Sequence, residues 1–416
     1  MIFTKERLEP WGFWNKLLCR FLLSYFSLYI FLLIGSSLLN PLIQWIGKEL
    51  LGITYEFTSS GRGSGDTTYQ YIVVLFVFTV ALIATCIWSI LDRKRLSYND
   101  MFYWFKLTLR IVLIFFMVTY GFAKVFKTQF PYPSLSRMLQ PIGEMSPMGL
   151  AWTFMGYSLG YNIFTGMAEI LGGLLLLSKR TETLGAFLII GVMGNVLVMN
   201  LCYDIPVKLF SFHLIWMAAI LFLSDIKRFA NYFLLNKTAK SIVYHKPFKT
   251  DRTVKIALRS TKIGLTVLLL GLFTFLSLGN RKRFGDKAEK PYLHGIWKVS
   301  SFSKNNTLLD KVTDGERWEY LLVEYPKYGT IKTQDELSTY ITFEADSANG
   351  KAKLYKQDSE SDAFNFSFNY PNKNFLELNG VYENDSLHII FYRKELDSMR
   401  LNNRGFNWIN EYPFNR

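Results

Sequence analysis

Apolar residues in this 416-residue chain form long runs over the first two thirds and alternate with polar ones in the last third. Seven runs, 13–34, 71–91, 107–123, 151–177, 184–201, 207–224 and 263–278, approach the roughly 20 residues that a bilayer-spanning helix needs. From Pro291 the period changes to two. Phe364, Phe366, Phe368 and Tyr370 alternate with polar neighbours in 363–370, and 338–345 and 386–393 read alike. Asn349-Gly350 and Asn384-Asp385 mark turns. About eight short strands in roughly 125 residues predict a small closed antiparallel barrel, which leaves no exposed edge. The expected fold class is an α-helical polytopic membrane bundle of about seven transmembrane helices followed by an all-β barrel. The expected boundaries are 1–105 with two transmembrane helices, 106–230 as a four-helix core, 231–289 as a basic loop plus a seventh helix, and 290–416 as the barrel.

Charge sharpens this picture. Residues 290–416 carry 16 Lys/Arg against 18 Asp/Glu, and residues 1–289 carry 31 against 15. The basic excess therefore belongs to the apolar part, where the positive-inside effect explains it better than nucleic-acid binding, for which no module is present. Asp92-Arg-Lys-Arg95, Lys179-Arg180 and the long stretch from Lys227 to Arg259 mark cytoplasmic turns. That puts the N-terminus inside and the C-terminal domain outside. Arg281-Lys282-Arg283, after the last run, disagrees locally. The first run has no small-residue cleavage site after it and reads as a retained span. Gly61-Arg62-Gly63-Ser64-Gly65 reads as a flexible loop; no strand precedes it and no Lys-Ser/Thr follows, so it is not a phosphate loop. The three cysteines form no C-x-x-C pair; Cys19 and Cys86 read as small buried residues, and Cys202, beside Tyr203-Asp204, is the one to test as a thiol.

The unusual polar residues lie in the third to sixth runs. Glu169 sits inside an apolar stretch, where a carboxylate costs about 3 kcal/mol or more and so faces a partner, a cavity or a reaction. Gly166, Glu169 and Gly173 share a helical face, as do Arg110, Met117 and Lys124, with Gly121 one turn before Lys124. Gly191 and Asn195 are four apart on the next helix. At about 1.5 Å per residue, Glu169 lies roughly 15 Å from the end marked by Lys179, near mid-membrane, with Asn195 at similar depth. The expectation is a buried Arg110–Glu169 pair helped by Asn195. Such a pair fixes helix packing, or it relays protons or binds a ligand, or Glu169 stays neutral without a role. A second cluster at the outer face holds Tyr120, Gly121, Lys124, Asn200, Tyr203, Asp204, Pro206, Lys208 and His213. It reads either as a pocket for an anionic or quinone-like head group or as interfacial anchoring. The four histidines offer no metal-ligand set, and no G-x-S-x-G motif is present.

Arg110 with Gly121-Phe-Ala-Lys124, then Glu169-Ile-Leu-Gly-Gly-Leu-Leu-Leu-Leu, then Asn200-Leu-Cys-Tyr-Asp-Ile-Pro-Val-Lys208, closed by Asp225-Ile-Lys-Arg, resemble the DoxX family of small four-helix membrane proteins. The resemblance covers somewhat over a quarter of the chain and leaves the first, second and seventh runs outside it. It implies a four-helix bundle in a bacterial inner (plasma) membrane. Related DoxD-type proteins are linked to thiosulfate:quinone oxidoreduction, and other members to membrane-associated thiol or oxidative-stress complexes. The carried-over positions are Arg110, Lys124, Glu169, Tyr203, Asp204 and Lys208. His294-Gly295-Ile296-Trp297 is similar to the G-x-W that opens a lipocalin-type barrel, in which Trp297 would plug the floor beneath an Arg of the last strand, here Arg404. Lipocalin-like barrels often bind small apolar molecules; a barrel filled by its own aromatics fits the sequence equally well.

The function these features imply is that of a quinone-linked or redox-associated membrane component. Glu169, Lys124 and Asp204 would be its reactive residues, with Arg110, Asn195, Tyr203, Lys208 and His213 as ligand-binding ones. Quinone is the implied cofactor, and a soluble or membrane redox partner would supply electrons. The alternative from another class is a non-enzymatic carrier or scaffold, whose outward barrel would capture a lipid or small hydrophobe between Phe364, Phe366 and Phe368.

Overall fold

The computed structural model describes residues 10–57, 65–239, 251–285, 287–309, 317–333, 335, 337–356 and 363–415. The remaining residues include 61–64 of the glycine-rich loop and much of the basic connection after the sixth run. The chain divides into two compact units. One comprises Met1–Phe130 and Ser146–Gly279, and the other Pro131–Met145 and Asn280–Arg416.

The first unit is helical. Its elements are α1 (Phe13–Gly35), α2 (Asn40–Trp45), α3 (Thr68–Leu91) and α4 (Asn99–Val125). The short α5 (Leu135–Leu139) belongs to the other unit. Then follow α6 (Pro147–Tyr157), α7 (Leu159–Leu175), α8 (Glu182–Cys202), α9 (Lys208–Leu223), α10 (Ile226–Phe233) and α11 (Arg252–Phe284). Among the described residues five helices, α1, α3, α4, α8 and α11, are long and apolar enough to cross a membrane, or six if α9 and α10, bent by 73°, count as one.

The fourth run does not form the continuous helix expected over 151–177. It breaks at Ser158, whose backbone is extended (φ −94°, ψ 111°). Local side chains satisfy the freed backbone groups. The Ser158 hydroxyl accepts the Tyr161 N–H at 3.2 Å, and Asn162 Nδ2 donates to the Met155 carbonyl at 2.5 Å and the Ser158 carbonyl at 3.1 Å. Asn162 is fully buried, so these bonds replace water.

Glycine sets the spacing of α4 and α7. A Cβ on Gly121 would lie 2.7 Å from the Gly166 carbonyl oxygen, and one on Gly166 would lie 2.6 Å from the Gly121 oxygen. The two backbones touch, as small-residue helix seams allow. Gly173 packs on Met117, and Gly172 and Gly185 bring α7 against α8. Gly191 and Gly194 of α8 form no such seam: a Cβ on either would meet nothing within 4 Å.

The second unit is a closed antiparallel barrel. Its strands are β1 (Gly295–Lys304), β2 (Thr307–Leu308), β3 (Trp318–Tyr325), β4 (Tyr328–Thr333), β5 (Ser338–Asp346), β6 (Lys351–Lys356), β7 (Phe364–Asn372), β8 (Phe375–Tyr382) and β9 (Asp385–Lys394). Eight strands pair in sequence and β1 closes on β9, while the two-residue β2 folds back on β1. Inward side chains fill the interior: Trp297, Leu321, Leu354, Leu376, Ile389 and Phe391 are each fully buried. Phe366 is buried with them, and Phe364 and Phe368 pack partly buried at its side. The expected turns form. Gly350 has φ +61°, and Glu383-Asn384, both at positive φ, join β8 to β9.

Trp297 is fully buried, and its Nε1–H donates to the Leu293 carbonyl at 2.8 Å. The arginine above it is Arg393 of β9, 5.9 Å from the ring centroid, not Arg404. Arg404 lies beyond the last strand, over the Phe414 ring at 4.5 Å. Gly295 makes room for Arg393. Its φ is +152°, and a Cβ there would sit 3.1 Å from the Arg393 Nε. Residues 131–145, read above as part of the four-helix core, join the barrel unit instead. Leu135 is buried with Ile296, Tyr320 and Leu322, and its N–H donates to Glu324 Oε1 at 3.0 Å.

Two outcomes follow. Gly121→Leu should destabilise the bundle by about 1–3 kcal/mol or more, because two backbones must part, whereas Gly191→Leu should change little. Thermal unfolding in detergent compares them, and equal effects would refute the seam. Burial pushes the Glu324 carboxyl above its ordinary value of 4.5, against the opposing Leu135 N–H. Its folded pKa then exceeds its unfolded one, so its contribution is complete below the unfolded value and is lost as pH rises through the folded value. Hydrogen-exchange protection of β3 in wild type should therefore fall relative to Glu324→Gln as pH rises above 4.5; a pH-independent difference would contradict this.

Candidate functional site

Lys124 stands in the last turn of α4, where a cation complements the carbonyl end of the helix. Glu169 stands two-thirds of the way along α7. The Gly121–Gly166 contact sets their helices at a spacing that a lysine spans. Lys124 Nζ donates to both Glu169 oxygens, at 2.7 and 2.9 Å. Lys124 is 5% exposed and Glu169 2%. The ammonium also sees the rings of Tyr120 and Phe130, at 5.8 and 5.9 Å from their centroids. Phe130 is held edge-on by Trp152 of α6 at 5.0 Å. A carboxylate and two aromatic faces thus enclose the charge, the arrangement in which an ion pair tolerates a dry setting. One proton passing from Nζ to the carboxylate would leave a neutral pair without changing net charge. Two buried acceptors, Asn162 Oδ1 and Gln129 Oε1, have no hydrogen-bond partner among the described residues. Asn162 lies two turns before Glu169 on the same α7 face.

Arg110 is not the partner of Glu169. It lies fourteen residues before Lys124, about 21 Å away along α4, and α7 runs antiparallel. At its level are the last carbonyls of α7. Arg110 donates to Leu176 O at 2.5 and 2.8 Å and to Leu177 O at 3.0 Å, and its Nη1 lies 3.4 Å from Glu182. Lys106 joins there, donating to Glu182 at 2.9 Å and Ser224 Oγ at 3.2 Å. Thr183 and Arg228 both donate to Asp225 nearby. Asn195 takes no part in either group: it lies exposed on α8.

The outer cluster is likewise dispersed. Asp204 pairs with Lys208 at 2.9 Å, but its side chain is 86% exposed, and Lys124 is committed to Glu169. Tyr203 is exposed. The α8–α9 turn is instead fixed from elsewhere: Asp66 accepts the N–H groups of Lys208 and Leu209 at 2.8 and 2.9 Å, capping α9. Asn200 is buried and donates to Ser211 Oγ at 3.1 Å. His213 is buried between α9 and α1. Its Nδ1–H donates to Leu209 O at 2.6 Å, which leaves Nε2 to accept the Tyr25 hydroxyl at 2.7 Å. Its ring stacks on Tyr29 at 4.0 Å. Cys19 is buried as expected, while Cys86 and Cys202 are exposed.

Sequence reasoning missed Glu182, Lys106, Asp66 and Arg20. Arg20 is a buried charge inside the first apolar run, the same signal that singled out Glu169. It donates to Tyr98 Oη, Ser89 Oγ and Asp92 O at 2.8–3.0 Å, tying α1 to the α3–α4 turn. Among the described residues no three His, Cys, Asp or Glu side chains converge as a metal site.

No family model matches the chain, and no solved structure matches it. The uncharacterized protein YwoB of Bacillus subtilis (strain 168) is 36% identical over 135 residues, a match that covers 30% of this chain and 80% of that protein.

Removing one member of the buried pair strands the other charge. Glu169→Met and Lys124→Met should each cost about 3–5 kcal/mol, and the double change Lys124→Met with Glu169→Met should cost clearly less than their sum. A double-mutant cycle of thermal stability in detergent measures this. Additive costs would mean that the pair does not act as a unit.

Proposed function

We propose, for a chain that belongs to the family of the Bacillus subtilis protein YwoB, a role as a multi-pass inner (plasma) membrane protein that handles protons for a redox partner. The bundle would be DoxX-like and quinone-linked, with Glu169 and Lys124 as the proton-handling residues. The observation that carries this reading is the buried Lys124–Glu169 pair, because a charge pair kept in an apolar helix seam is costly and proton transfer within it is chemically simple.

The membrane setting is supported by the five long apolar helices and by the placement of charge. The turns holding Arg93-Lys94-Arg95 and Lys179-Arg180, together with the end of α9, lie at one end of the bundle. There Arg20 reaches Asp92 O, Arg110 reaches Leu177 O, and Lys106 reaches Ser224. Under the positive-inside rule that end is cytoplasmic, with the N-terminus, and the barrel lies outside. The carrier reading draws less support, since the barrel interior is occupied by its own side chains.

The test is mass spectrometry of small molecules extracted from protein purified gently out of its native membrane. Wild type should retain a quinone. The double variant Lys124→Met with Glu169→Met, which keeps the seam filled, should lose it, and Phe366→Ala should keep it. A lipid lost only from Phe366→Ala would replace this reading with the carrier, and absence of quinone from wild type would overturn the quinone link.

A further inference from the structure

The chain after the last barrel strand has no assigned part in the reading above, and its composition is unusual. Over nine residues it carries Phe406, Trp408, Ile409, Tyr412 and Phe414, separated by asparagines and one each of Glu and Pro. Soluble surfaces rarely collect such a patch. These side chains are not tucked into the barrel. Phe406 is 78% exposed, Trp408 90%, Ile409 79% and Tyr412 83%. The segment nevertheless has a defined shape. Arg404 lies over the Phe414 ring and donates to Asn410 Oδ1, Asn410 donates to the Asn407 carbonyl at 3.1 Å, and Asn407 donates to the Gly405 carbonyl at 3.0 Å. Its polar groups thus bond to one another, and its apolar groups face out. Asn402, bonded to Tyr132 and to Leu396 O, anchors the base of the loop to the barrel unit.

The connections of the chain say what lies within reach. α11 runs parallel to α4: Lys262 hydrogen-bonds Leu177 O, at the level of Arg110, and Phe273 packs on Phe115 and Phe122 one to three turns further along. The C-terminal ends of α4 and α11 therefore emerge at the same end of the bundle. The barrel unit is entered from both, at Pro131 and at Asn280. From the end of α11 at Phe284 to β1 at Gly295, eleven residues span at most about 40 Å. If the bundle crosses a membrane, the barrel is tethered twice over at a single membrane face.

We propose that the loop 404–414 inserts into the head-group region of the bilayer from which α11 emerges, as an interfacial anchor for the barrel. Trp and Tyr favour that depth because each has an apolar ring and a polar edge, and Asn and Arg remain hydrated among head groups. The inference rests on the membrane reading given above.

Full-length protein in phosphatidylcholine nanodiscs, with acyl chains either plain or brominated near the head group, tests it. The Trp408 emission is taken as the difference between wild type and Trp408→Phe. Bromine should reduce that component about twofold or more, as expected for an indole at head-group depth. Equal emission in the two lipids, including the case where Trp408 is covered by a second copy of the chain, overturns the anchor. Failure of the protein to enter nanodiscs, with its release from native membranes by alkaline carbonate, would instead overturn the membrane reading and the anchor with it.

Discussion

The contact of bare backbone at Gly121 and Gly166 is the constraint on which the bundle depends. A helix pair separated by ordinary side chains stands 8–10 Å apart, axis to axis. Glycine on both faces removes that spacer, and the lysine at the end of α4 then reaches the carboxylate on α7. The ion pair and the seam need each other. Without the close approach Glu169 would have no partner, and without the pair the seam would hold an unpaired buried charge. Gly173 on Met117 continues the same face toward the opposite end.

At that opposite end the polar work differs in kind. Arg110 satisfies the carbonyls of Leu176 and Leu177, which follow the last turn of α7 and have no partner within that helix. Glu182, at the first turn of α8, balances Arg110 and Lys106, and a carboxylate there also suits the helix N-terminus. Arg20 does the same for the α3–α4 turn through the Asp92 carbonyl. Arg110 and Arg20 are each held by backbone oxygen and by side-chain groups, so they bind helix termini together.

The barrel follows a different principle. Closing β1 on β9 pairs the sheet edges, and the inward side chains of the alternating pattern then supply the core. Trp297 is held by the Leu293 carbonyl and by Arg393 beside its ring. Leu135, inserted from the loop between α4 and α6, covers Ile296 and Leu322, which point outward from the strands.

Periodicity by itself determined which part of the chain is helical and which is β, because one face of each element must be apolar at the period of its own backbone. It also determined the alternation of Phe364, Phe366 and Phe368, the glycine face of α7, and the position of Glu169 inside an apolar run. It did not determine partners. It pointed to Arg110 and Asn195 beside Glu169 and put Lys124 in the outer cluster, since spacing along one helix says nothing about its level against an antiparallel neighbour. That level was decided in the tertiary structure by where two glycines meet. The break at Ser158 was hidden for a related reason, as a serine and an asparagine can replace helical hydrogen bonds without interrupting the apolar run. Arg393 rather than Arg404 faces Trp297 because strand register, set by closure of the barrel, brings Arg393 opposite Trp297 and leaves Arg404 beyond the last strand.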